Sequence, residues 1–296
     1  MKKKAALTLI GVLFIAGCSG SGSTGSATQI SGAVADGYLQ NALVFLDKNR
    51  NYQLDPGEPS TTTDANGAYT LNVAPEDVGI YPIVALAIEG QTIDADTPGV
   101  PLTSTYVLCT PGAAVSGTVN NFISPFSTLI REKLEANPGM TVADAITQLR
   151  NQLNMPAGVN MMGNYVAGSA SGLHGTEYQE MHQVARQMAG LMAEQSALVM
   201  NGRSVNTNNF RSMMGEINDY LPQIADNAIG GEGMNSVFMN TMRARMQTAM
   251  ESLPAYGGFR NYSATFRSMT SVTYFWNFSG GRMQPRGGTM RGGMGR

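Results

Sequence analysis

Ala42-Leu43-Val44-Phe45-Leu46 followed by Asp47-Lys48-Asn49-Arg50-Asn51-Tyr52-Gln53-Leu54-Asp55-Pro56-Gly57-Glu58 is the stretch that decides the fold. The second part places side-chain oxygens at loop positions 1, 3, 5, 9 and 12, on Asp47, Asn49, Asn51, Asp55 and Glu58. Gln53, at position 7, adds a backbone carbonyl. That is the ligand order of a twelve-residue calcium loop, in which a hard cation gathers six to eight oxygens. Two residues depart from the helix–loop–helix version. Tyr52 stands at position 6, where a sharp turn calls for Gly, and Pro59 after Glu58 opposes an exiting helix. The apolar run before the loop reads as a strand. The expectation is therefore a calcium loop between β-strands, with Asp47, Asn49, Asn51, Gln53, Asp55 and Glu58 as metal ligands.

Working outward, short apolar runs recur between Gly, Asn and Asp turns. Strands are expected over 29–35, 42–46, 68–73, 80–88 and 103–108, with turns at Asp36-Gly37 and 61–67. Such spacing describes an antiparallel β-sandwich. Gly32-Ala33-Val34-Ala35-Asp36-Gly37, Ala42-Leu43-Val44 and Thr63-Asp64-Ala65-Asn66-Gly67-Ala68-Tyr69 resemble the carboxypeptidase-regulatory-like, transthyretin-like modules. The loop at 47–58 is similar to that of B-type repeat domains in bacterial surface adhesins. The resemblance covers roughly 28–110 and implies a non-catalytic, calcium-bearing module.

The region after it is built differently. Nineteen of the twenty methionines lie from Met140 onward. Ser124-Pro125 reads as a helix N-cap with Pro at the first helical position, and Thr141-Val142-Ala143-Asp144 as a capping box. Helices are expected over 177–200, 208–228 and 235–253, with a Gly-rich loop over 158–175. The fold class is thus α+β and multidomain: a calcium-binding sandwich over 28–115, then a Met-rich helical domain over 120–253. The segment 254–279 reads as a late strand or hairpin arm, and 280–296 as a disordered Gly/Arg/Met tail.

At the N-terminus, Met1-Lys2-Lys3-Lys4 and an apolar run to Ala16 read as a signal peptide over 1–17, too short for a comfortable membrane span. Ile15-Ala16-Gly17-Cys18 resembles the lipobox of bacterial lipoproteins, which implies acylation of Cys18. Ser19 after it implies sorting to the outer membrane. Residues 18–27 form a Gly/Ser tether of flexible composition. The expected location is the cell envelope, lipid-anchored at the outer membrane on its periplasmic or exposed side. With Cys18 acylated, Cys109 has no disulfide partner and reads as a small buried apolar residue.

Charge is asymmetric. Between Cys18 and Thr110 ten acids face only Lys48 and Arg50, whereas from Ser252 onward six arginines meet no acid. An Arg/Gly tail on an exported chain suits an anionic polysaccharide or an envelope protein as partner, and no intracellular nucleic acid.

Two other constellations carry chemistry. His174, Glu177 and His182 offer two imidazoles and a carboxylate, the donor types of a zinc hydrolase, at a spacing that matches no zinc motif. Met239, Met242, Met246 and Met250 fall on one helical face, and Met188 with Met192 repeat the pattern. Thioethers suit Cu(I), but also fill apolar cores. No nucleophile–base set, phosphate loop or dinucleotide fingerprint occurs. The composition favours an envelope binding or scaffolding protein, with no catalytic residue assigned. A metal-dependent hydrolase using His174, Glu177 and His182, or copper handling by the Met-rich helices, stands as the alternative.

Overall fold

Alternation makes the plainest strand. In Ala68-Tyr69-Thr70-Leu71-Asn72-Val73 every second side chain, Tyr69, Leu71 and Val73, is buried and the others face solvent, the period-two pattern of a sheet with one wet face. The computed structural model describes residues 27–230 and 236–252. Strands come first, in chain order β1 (Thr28–Val34), β2 (Leu39–Gln40), β3 (Leu43–Leu46), β4 (Ser60–Thr62), β5 (Ala68–Val73), β6 (Ile83–Ala87), β7 (Ile93–Asp94), β8 (Tyr106–Thr110) and β9 (Asn121–Ile123). Helices follow: α1 (Pro125–Ala136), α2 (Val142–Gln152), α3 (Tyr165–Gly168), α4 (Gly175–Glu194) and α5 (Ser196–Val199). After a small hairpin of β10 (Met200–Asn201) and β11 (Ser204–Val205) come α6 (Thr207–Asp219), α7 (Leu221–Ile229) and α8 (Ser236–Glu251). The chain is mixed α+β.

One sheet has the order β5-β1-β9 and the other β4-β3-β6-β8, and β2 pairs with β7 separately. All ladders are antiparallel except one: β9 runs parallel to β1, with Gly32 opposite Asn121. That parallel strand departs from the antiparallel expectation, and 121–123 lies where the sequence suggests the start of a helix. Gly32 makes the pairing possible. A Cβ there would sit 2.0 Å from the Asn121 carbonyl oxygen, so only Gly admits the approach.

The β6 and β8 side chains are buried throughout, a sign that both faces of their sheet are covered. Helices supply the second cover, because α1 and α4 pack on β8. The start of α1 is stitched to that strand. Ser124 and Ser127 form a capping box, the Ser127 hydroxyl donates to the Cys109 carbonyl at 2.7 Å, and the Cys109 amide donates to Thr128 at 2.9 Å. These bonds satisfy helix-end and strand groups together. Thr141 and Asp144 make a second capping box at α2.

The expected helix over 208–228 divides at Tyr220 into α6 and α7, where Pro222 starts the second helix and cannot continue the first. On α8, Met239, Met242, Met246 and Met250 are buried against α4 and α6. Met188 and Met192 are buried in the same way. One hydrophobic cluster runs from the strands through these helices without a break. The two halves therefore share a core. Residues 1–26 and 253–296, and with them Cys18, the tether, the late strand and the Arg/Gly tail, lie outside the described residues.

Candidate functional site

The loop after β3 folds on itself. Asn49 and Asn51 each donate a carboxamide N–H to Asp55 Oδ2, both at 2.7 Å. Glu58 closes the ring. Its Oε1 accepts from the Lys48 amide at 2.7 Å, and its Oε2 from the Asp55 amide at 2.9 Å. Asn49 and Asn51 also accept backbone N–H groups two residues on, the Asx-turn habit of Asn. Glu58 thus holds the backbone of Lys48 and Asp55, while Asn49 and Asn51 converge on the Asp55 carboxylate. The two amide N–H groups there stand in for the positive charge that a cation would bring to Asp55.

Asp47 is engaged elsewhere. It is fully buried, Oδ1 accepts from the Asn51 amide at 2.9 Å, and Oδ2 accepts from Arg131 Nη2 at 3.0 Å. Arg131 belongs to α1 and is itself buried, with its Nε on Glu135 at 3.0 Å. As they lie, Asn49 and Asn51 turn N–H groups toward Asp55 and give their Oδ1 atoms to backbone amides. A cation held by Asn49, Asn51, Asp55 and Glu58 would replace these bonds. Asp47 would have to share its carboxylate with a guanidinium. Gln53 is held by its amide to Asn51 Oδ1 at 2.8 Å. Among the described residues, no three or more His, Cys, Asp or Glu side chains gather in a metal-holding group. Any ion here would rest on Asn oxygens as well as carboxylates.

Tyr52 explains why this loop has no Gly at its sixth position. It adopts the left-handed region at φ 65°, as does Arg50 at φ 62°, a conformation that side chains occupy at a cost. The compensation is burial. Its ring lies 4.8 Å from that of Phe210 on α6, and the Arg131 guanidinium stacks 3.9 Å above it. Its hydroxyl donates to Glu132 on α1. Aromatic pairing and a desolvated cation–π contact each contribute about 0.5–2 kcal/mol beyond apolar burial. Burial, and next the charge of Glu135, push the Glu132 carboxyl up to about 7. Arg211 reaches Glu135 and lies 3.8 Å from Glu132. Tyr52 is thus a wedge that fixes the loop to the helices. The pattern of oxygens locates the loop; nothing local to it points to Arg131 or Phe210.

The histidine group does not assemble. His174 caps the start of α4 at φ 59° and lies 3.4 Å from Glu177. His182, two turns along the same helix, turns to Asp96 at 3.0 Å and stacks near Tyr165, its ring centroid 5.8 Å away. Its partner is thus a strand-half carboxylate and not Glu177. The buried methionines contact core residues, and Met239 accepts a hydrogen bond from Gln187 at 3.3 Å. Cys109 is buried and its thiol is pushed up to about 12, chiefly by burial, which leaves it inert as a nucleophile. Among the described residues no helix is long and apolar enough to cross a membrane.

Comparison with protein-family models, curated proteins and solved structures found no match.

Proposed function

We propose that this protein is a non-catalytic, lipid-anchored envelope module in which the two sheets act as a β-sandwich and the 47–58 loop takes up calcium. The observation that carries the reading is the convergence of Asn49, Asn51 and Glu58 on Asp55. Asn49, Asn51, Asp55 and Glu58 hold the ion, with the Gln53 carbonyl and Asp47 as further oxygen donors. Bound calcium supplies charge neutralisation and rigidity to the loop; it performs no chemistry on a substrate. With three acids among its donors the loop belongs with extracellular modules, whose dissociation constants lie at about 10⁻⁴–10⁻³ M.

The rest of the chain supplies a scaffold. Tyr52 and Arg131 join the loop to α1 and α6, so a rigid loop holds the helical half in register with the strands. Cys18 carries the lipid, and the tether from 18 to 27 lets the module stand off the membrane toward an envelope protein or anionic polysaccharide. Equilibrium dialysis against millimolar calcium tests the loop. About one ion per chain is expected for the protein from Cys18 to Arg296. Less than a fifth of that is expected after Asp55→Ala with Glu58→Ala. Retention of the full stoichiometry by the double variant would move the ion elsewhere and sink the reading.

A further inference from the structure

A second polar cluster, outside the calcium loop, joins the two halves. Asp36 in the β1–β2 turn is 5% exposed. Its Oδ2 accepts from the Tyr106 hydroxyl at 3.0 Å, while Oδ1 has no hydrogen-bond partner. Against this turn lie Asp94 and Asp96. A Cβ on Gly37 would fall 2.3 Å from Asp94 Oδ1 and 2.9 Å from Asp96 Oδ2, so only Gly lets both acids approach. His182 and Arg186 sit closest to Asp96: His182 Nε2 is 3.0 Å and Arg186 Nε 2.9 Å from its Oδ2. The same turn is held by the helices. Tyr165 of α3 donates to the Ala35 carbonyl at 2.8 Å, and Tyr38 bonds Asn164. Buried Asp36 thus lies by two half-buried carboxylates, Asp94 and Asp96, and one of its own oxygens has no hydrogen-bond partner.

We propose that this cluster is a proton-operated latch between the strands and the helices. With a proton on the Asp36–Asp94 side, the 35–38 turn seats against α3 and α4; loss of that proton loosens the seat. A buried carboxylate with a bare oxygen is costly as an anion and acceptable as a neutral acid. Burial, then the charge of Asp94, raise the Asp36 carboxyl well above the ordinary range, and burial raises Asp94 too. The hydrogen bond from His182 holds Asp96 below it. A raised Asp36 contributes stability that is complete below the unfolded value near 3.9 and is lost as pH rises through the folded value. The contribution of Asp96 runs the other way, present above the unfolded value and lost only as pH falls through its depressed one. The latch is therefore firm in mild acid and weakens toward neutral and alkaline pH. His182, Arg186, Tyr38, Tyr106 and Tyr165 are the other titratable or charged groups facing it.

The test compares the chain from Cys18 to Arg296 with Asp36→Asn, in chelator, from pH 5 to 8.5. The melting temperatures should differ least near pH 5. The variant's advantage should then grow with pH, in step with about one proton fewer taken up on folding. Amide-exchange protection, taken relative to the intrinsic rate at each pH, should fall with pH at 35–38 and around His182 in the wild type and stay level in the variant. If Asp36→Asn fails to fold, Asp94→Asn removes the neighbouring charge and should give a smaller divergence of the same sign, since burial still acts on Asp36. A melting difference that is flat with pH, or exchange protection at 35–38 that keeps its pH response in the folded variant, overturns the latch.

Discussion

The strand and helix halves meet at two polar junctions that are balanced in opposite ways. At the loop junction a buried guanidinium, Arg131, lies between Asp47, Glu135 and the face of Tyr52, with Arg211 close by. At the Asp36 junction three acids face His182 and Arg186, and both of those are held by Asp96. Charge matched in place gives a rigid joint that fails when a partner is removed. Charge left unmatched gives a joint whose strength depends on protons. The first kind dominates beside the proposed ion site, though the Glu132 carboxyl there is pushed up to about 7, and the second dominates against the middle of α4.

This contrast breaks most plainly at Arg131. Arg131→Ala leaves Asp47 buried without its cation and takes away the cover of Tyr52, and should cost about 3–5 kcal/mol. Urea unfolding of the whole chain reads the loss, and a cost under about 1 kcal/mol would show that the joint is not held by this pair. Tyr52→Phe is the finer cut. It keeps the wedge and its stack on Phe210 but leaves Glu132 without its hydroxyl donor, at a cost of about 1–3 kcal/mol. Because Glu132 is already pushed up to about 7, largely by burial, that cost should be larger at pH 8 than at pH 6. Equal costs at the two values would mean that the Tyr52 hydroxyl does not serve a carboxylate. The smallest effect belongs to the shared apolar core. Met246→Leu conserves volume at a fully buried site and should cost under about 1.5 kcal/mol by the same unfolding assay. A greater loss would show that the thioether does more than fill space.

Much of the local structure was legible, because local rules govern it. Alternation marks 68–73 as a strand with the bounds the structure has, and Ser124 and Thr141 announce α1 and α2 by their capping chemistry. Pairings across distance were not legible. β9 is three residues long and parallel, and its signal is a glycine in another strand. Asp47 finds Arg131 at a separation of 84 residues, and His182 finds Asp96 at 86. Neither pair shares a motif. Tyr52 shows the limit most clearly: within the loop it is a residue that spoils a turn, and only the helices reveal it as a wedge. Lys133, fully buried in α1 with its amine pushed down to about 7 by burial, carries no mark in the sequence either.

The wedge also decides how the calcium reading must be tested. An isolated strand segment would expose Tyr52 and lose Arg131, so the experiment needs the chain from Cys18 to Arg296. Its melting temperature is measured in millimolar calcium and in chelator, for the wild type and for Asp55→Ala with Glu58→Ala. An ion that binds only the folded state adds about 1.4 kcal/mol at a tenfold excess over its dissociation constant. The account predicts a melt several degrees higher in calcium for the wild type and no shift for the variant. Equal wild-type melts in calcium and chelator, or a calcium shift that survives in the variant, would contradict it.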